Sequence, residues 1–155
     1  MSIARRIMLI GAFSLLLAGG AAALEWSFVA GLDGTEVVPP TPVTGTGHAA
    51  LFLNAAQTEV AYYLEYQGLV DVTGAHLHIG AFGENGPVVF PLESGQSVTG
   101  TWMPTATEVE ALFLGNIYVQ VHTSAFPNGA IRGQFEPCGV TAEETSWSAV
   151  RRLFR

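Results

Sequence analysis

His76 and His78 stand two residues apart in the stretch GAHLHIGAFGENGPVVFPL, Gly74 to Leu92, in a chain that holds only four histidines. Side chains alternate along an extended segment, so Ala75, Leu77 and Ile79 share one face and both imidazoles the other. The same parity runs through IYVQVHT, where Ile117, Val119 and Val121 oppose Tyr118, Gln120 and His122. In GHAALFL, His48 lies opposite the apolar row Ala49, Leu51 and Leu53. All four histidines therefore fall on the face away from an aliphatic row, which argues against rings sunk in an apolar core.

Two rings at i and i+2 of a strand stand about 6–7 Å apart. That spacing lets them converge on one ion at ordinary metal–nitrogen distances. A third imidazole from a neighbouring strand, His122, completes a trigonal or square-planar set. Imidazole-only ligation suits copper or zinc, and tetragonal nitrogen sites favour Cu(II). Copper is the expected ion and zinc the lesser candidate, with His76, His78 and His122 as ligands and His48 as a weak fourth. A buried structural pair and a plain binding surface are the competing readings of the same residues. Tyr118 and Gln120, on the histidine face, are either donors that fix ring tautomers or ordinary strand residues.

Charge narrows the partners. The chain has no lysine, and between Leu24 and Val150 its only arginine is Arg132, against thirteen Asp and Glu in the whole sequence. Such a surface repels phosphate backbones and excludes nucleic acid. The solitary Arg132 fits a structural ion pair with Glu36 or Glu136. Glu36, in GTEVVPP, reads as a loop-locking residue rather than an acid catalyst. No nucleophile with a paired base and no phosphate-cradling loop is present.

The elements that must position these residues are short, β-branched and aromatic, and glycine or proline separates them. Strands are expected at Trp26 to Leu32, Gly47 to Leu53, Val60 to Tyr66, Ala75 to Ile79, Val88 to Leu92, Ser97 to Trp102, Ile117 to Thr123 and Ile131 to Phe135. Their spacing predicts an all-β fold, an antiparallel β-sandwich or flattened Greek-key barrel. One short helix is expected near Thr107 to Leu114, with Thr107 as N-cap and Glu110 completing a capping box. FPNGA, Phe126 to Ala130, supplies the turn of a hairpin that joins the strands of His122 and Arg132.

The ends differ from this domain. Arg5 and Arg6, the apolar run Ile7 to Leu17 and the small residues Gly19 to Ala23 predict a bacterial signal peptide over 1–23, hence a secreted or periplasmic product. The domain is expected over 24–137 and a tail over 138–155. Cys138, the sole cysteine, cannot form an internal disulfide. Trp147, Val150, Leu153 and Phe154 beside three arginines make the tail a docking or membrane-surface helix or a frayed end. Membrane contact is expected, if anywhere, through this tail.

Three ordered motifs resemble a known family. FVAGLDGTEVVPPTPVTGTGHAALFLN, GAHLHIGAFGENGPVVFPL and GNIYVQVHTSAFPNGAIRGQF are similar to successive segments of the CHRD domain, the module named after chordin, from about Phe28 to Phe135. Ala130 replaces the usual Glu of that pattern, and Ile79 a frequent Gly. HLHIGAFG and VQVHT also resemble, more loosely, the copper site of Cu/Zn superoxide dismutase, a β-sandwich enzyme. That second resemblance implies His76, His78 and His122 as copper ligands and Arg132 as the guide of a small oxygen-derived anion. It leaves no histidines for a zinc subsite. The leading expectation is a secreted CHRD-domain protein that binds a copper-type ion, with superoxide dismutation as its sharpest form. The alternatives are a non-catalytic extracellular interaction module and a copper-holding protein without turnover.

Overall fold

The computed structural model describes residues 26–138. They form β1 (Trp26–Leu32), β2 (Thr46–Leu53), β3 (Val60–Gln67), β4 (Val72–Ile79), β5 (Val88–Pro91), β6 (Ser97–Trp102), α1 (Ala106–Phe113), β7 (Ile117–Thr123), β8 (Ile131–Gln134) and β9 (Glu136–Cys138). The strands build a five-stranded sheet in the order β6-β3-β2-β1-β9 and a four-stranded sheet in the order β5-β4-β7-β8. Every pairing within them is antiparallel. The described residues thus adopt the all-β antiparallel sandwich with one short helix.

Alternation places the core. Phe28, Ala30 and Leu32 of β1, Ala49, Leu51 and Leu53 of β2, and Val60, Tyr62 and Leu64 of β3 point inward from the larger sheet. Ala75, Leu77, Ile117, Val119, Val121 and Ile131 meet them from the smaller one. At one corner the sheets are stitched together: Asp33 N donates to Arg132 O (3.0 Å) and Arg132 N to Asp33 O (2.9 Å). That bridge joins the end of β1 to β8, so the sandwich is partly closed like a flattened barrel.

The helix begins earlier than its expected cap. Thr105, not Thr107, is the N-cap, and its side chain accepts from Glu108 N while the Glu108 carboxylate reaches back to the cap. Both threonines sit three residues before a glutamate, so the motif alone does not choose between them. The helix buries Val109, Ala111 and Leu112. Phe113 meets Trp26 and Phe28 edge-on, at 5.5 and 5.6 Å.

Glu136–Cys138 was expected to be the domain's end and the first residue of the tail. It pairs instead with β1, and Ser27 Oγ donates to Cys138 O at 3.1 Å. The predicted signal peptide and the rest of the tail lie outside the described residues. Among those described, no helix is long and apolar enough to cross a membrane.

Candidate metal centre

β4 and β7 are hydrogen-bonded neighbours, with His76 opposite Gln120, His78 opposite Tyr118 and His122 opposite Gly74. Cross-strand partners share a face. The three histidines therefore emerge on one side of the four-stranded sheet, away from the aliphatic core. Their ring centroids are 6.0 Å (His76–His78), 5.0 Å (His76–His122) and 5.9 Å (His78–His122) apart. One nitrogen from each ring lies within 4.8 Å of the other two. In a trigonal set about 2.0–2.1 Å from an ion, nitrogens are about 3.5 Å apart, so modest ring rotations would close the triangle.

Hydrogen bonding shows which nitrogens are on offer. His78 Nδ1 is 2.9 Å from Gly86 O and His122 Nδ1 is 2.9 Å from Pro127 O. A carbonyl only accepts, so each Nδ1 carries a proton, and in the neutral ring Nε2 is the nitrogen that keeps its lone pair. His78 Nε2, His122 Nε2 and His76 Nδ1 are buried and have no hydrogen-bond partner. Unpaired polar atoms of this kind are costly, and three in one cluster call for an occupant. Burial is the largest influence on His76 and His78, and it holds both below the ordinary histidine value. The neighbouring histidines push the same way, while the Gly86 carbonyl partly opposes the shift of His78. Neutral imidazole is the ligating form.

This face is not open to solvent as the simple two-face picture suggests. Loops 80–87 and 124–130 supply the carbonyls that fix His78 and His122. Loop 33–45 ties to both, through Asn85 Nδ2 to Val38 O (2.7 Å) and Thr41 Oγ1 to Ala130 O (2.8 Å). The result is a second buried layer, polar rather than aliphatic. Gly86 is needed where it stands, because a Cβ there would lie 1.7 Å from Ile79 O. Gly129 has φ +122°, and a Cβ would run into Gln120, whose Nε2 donates to Asn128 O at 2.7 Å.

Arg132 lies inside that layer at 1% exposure. Nη1 donates to Glu84 O (2.8 Å), and Nη2 to Ala81 O (3.2 Å) and Gln134 Oε1 (2.8 Å). Its guanidinium carbon is 3.6 Å from the Tyr118 ring centre, and Tyr118 stacks on His78 at 4.8 Å and 10°. A side chain so enclosed, with both terminal nitrogens donating to protein oxygens, lacks the exposed placement that the role of anion guide requires. Its hydrogen-bonded oxygens are also neutral, unlike those of the expected ion pair. Glu36 locks loop 33–45 to β8 by accepting from Gln134 N at 3.0 Å. His48 is exposed on β2 of the other sheet, paired with Gly31 and Glu65, and does not join the cluster.

Sequence reasoning missed the groups that set the tautomers. The carbonyls of Gly86 and Pro127 do so, whereas Tyr118 stacks on one ring and Gln120 braces a loop. Backbone carbonyls carry no residue signature, and only the neighbouring turn motifs GENGP and FPNG mark their positions.

With this geometry in place, comparison with known families gives one result. The model described as the CHRD domain matches residues 28–135, most of the chain, and the chain belongs to the CHRD domain family. No curated protein and no solved structure matches it.

Proposed function

We propose that this CHRD-domain chain is an exported copper-binding protein whose ion is held by His76 Nδ1, His78 Nε2 and His122 Nε2. One observation carries the reading: three buried imidazole nitrogens, drawn from two adjacent strands, gather without partners in one cluster. Two of the rings are oriented from behind by carbonyls, the arrangement that steers a ligand's lone pair toward an ion. Nitrogen-only ligation favours copper, with zinc as the lesser candidate. Export rests on the leader expected over 1–23.

Two residue-level features favour holding the ion over turnover on an anion: the ligating nitrogens are buried, and Arg132 is enclosed. Superoxide dismutation is the redox version of the same site, and an interaction module with a purely structural histidine cluster is the alternative from another class. Metal analysis of protein purified from the periplasm tests the reading. About one copper per chain is expected, and His78→Ala should remove most of the affinity. Affinity should also fall as acid protonates the rings, since imidazole must be neutral to ligate. Protein that takes up no transition metal, and keeps its partner binding after all three histidines are replaced, would establish the module instead.

A further inference from the structure

The polar layer contains a buried cation that no part of the proposed copper site uses. Arg132 and His78 both stack on Tyr118. At 3.6 Å for the guanidinium carbon and 4.8 Å for the imidazole centroid, the two flat groups cannot share one face of the phenol ring without overlapping. They sit on opposite faces, so a guanidinium lies one aromatic ring behind a candidate ligand. The oxygens that receive its Nη1 and Nη2 are uncharged. The carboxylate whose field acts on it is Glu36, which is held by Gln134 N and is itself partly desolvated.

The ligand set is neutral as well. Among the described residues the cluster consists of three histidines, with no carboxylate or thiolate. An ion placed there keeps its full charge in a poorly solvated layer, with Arg132 adding to the local positive potential. The cost of burying a charge rises steeply with its size, so a divalent ion is penalised more than a monovalent one. Three imidazoles can also serve a three-coordinate cuprous ion without a fourth ligand.

We infer that the centre is built for a monovalent, cuprous ion, and that Arg132, acting across Tyr118, is the residue that biases it that way. The inference rests on the copper reading above and deepens it. The distances put the guanidinium roughly 10 Å from the centre of the cluster. A unit charge at about that distance, with an effective dielectric near 20, changes the preference between adjacent charge states by roughly tenfold.

The test is a redox titration of the copper-loaded full chain, followed by absorbance or electron paramagnetic resonance of Cu(II). Copper stoichiometry is measured first for each variant. Arg132→Gln should lower the Cu(I):Cu(II) ratio at fixed potential about tenfold, a shift of about 59 mV for one electron. Arg132→Lys, which keeps the charge and loses the planar stack, should stay much closer to the parent than Arg132→Gln does. Glu36→Gln removes the opposing charge, so it should shift the ratio in the opposite direction and raise it. It also provides the test if Arg132→Gln does not fold. A potential that is the same in parent, Arg132→Gln and Glu36→Gln overturns the inference while leaving copper binding standing. So does a Lys variant shifted as far as the Gln variant, because geometry and not charge would then be at work. A parent chain that binds no copper in either oxidation state overturns the copper reading itself.

Discussion

The smaller sheet has two faces, and both carry fully buried side chains. On one, Leu77, Val119, Val121 and Ile131 pack against the opposite sheet with at most 1% exposure. On the other, Tyr118, Gln120 and Arg132 reach the same degree of enclosure, at 1–2% exposure. The first face is covered by a regular sheet and asks nothing of it but shape. The second carries hydrogen-bonding groups, and its covering loops answer with carbonyls at Gly86, Asn128, Glu84 and Ala81. Burial alone does not distinguish core from site. The distinction lies in which polar atoms the cover satisfies and which it leaves unpaired.

Leu77 and His78 are adjacent in sequence and point to opposite faces, so truncating each in turn tests the contrast directly. Leu77→Ala should cost about 2–5 kcal/mol of unfolding free energy, the range for a large-to-small change in a packed core. The folded fraction should keep its copper stoichiometry. His78→Ala loses the bond to Gly86 O and should cost less, about 1–3 kcal/mol, yet remove most copper affinity. Urea titration and equilibrium dialysis on both variants separate the two quantities. Equal destabilisation with copper affinity intact in both would make the polar layer an ordinary core.

The loop cover can be broken without touching a ligand. Gly129→Ala forces a left-handed φ of +122° on a residue with a Cβ and drives that Cβ into Gln120. The cost should be about 1–3 kcal/mol. Because the Pro127 carbonyl lies two residues away on the same turn, copper affinity should weaken as well. Calorimetry with and without copper checks both. Unchanged affinity would mean that the turn holds the fold but not His122.

Parity, strand order along the chain and the convergence of His76, His78 and His122 were legible because a strand's period is two and apolar rows mark the core side. What covers a face is a tertiary fact with a weak local signature. GTEVVPPTPV, GENGP and FPNG read as turns, and nothing in them says that they fold back over the histidine face. For that reason Arg132, isolated in an acidic chain, invited an anion-guiding or ion-paired role and proved to be enclosed among neutral oxygens. The helix cap failed for another reason: two overlapping threonine–glutamate pairs fit one motif, and the helix uses the earlier. The ninth strand, at Glu136–Cys138, is three residues long and includes a proline, so it lacks the run that announces a strand.

The smallest expected effect is on the pH dependence of stability, and here the two faces differ in kind. In the folded, copper-free chain, burial holds His76 and His78 below the ordinary histidine value of 6.5. The unfolded chain therefore binds more protons than the folded one between that value and the lower folded values. Stability rises with pH wherever the unfolded state binds more protons, so it must fall as pH drops through 6.5 and stop falling below the folded values. Glu36 acts with the opposite sign, since desolvation raises it and stability is lost as pH climbs from its ordinary 4.5 through the folded value. The difference between variants isolates the histidines from that background. Urea midpoints from pH 5 to 7.5, about the span over which histidine changes charge, should give Leu77→Ala the parent's slope at a lower level. His78→Ala should show a flatter profile, having removed one of the two depressed rings. Parallel profiles for the parent and His78→Ala would show that His78 is as free to protonate in the folded chain as in the unfolded one, and that the polar layer is wetter than its burial implies.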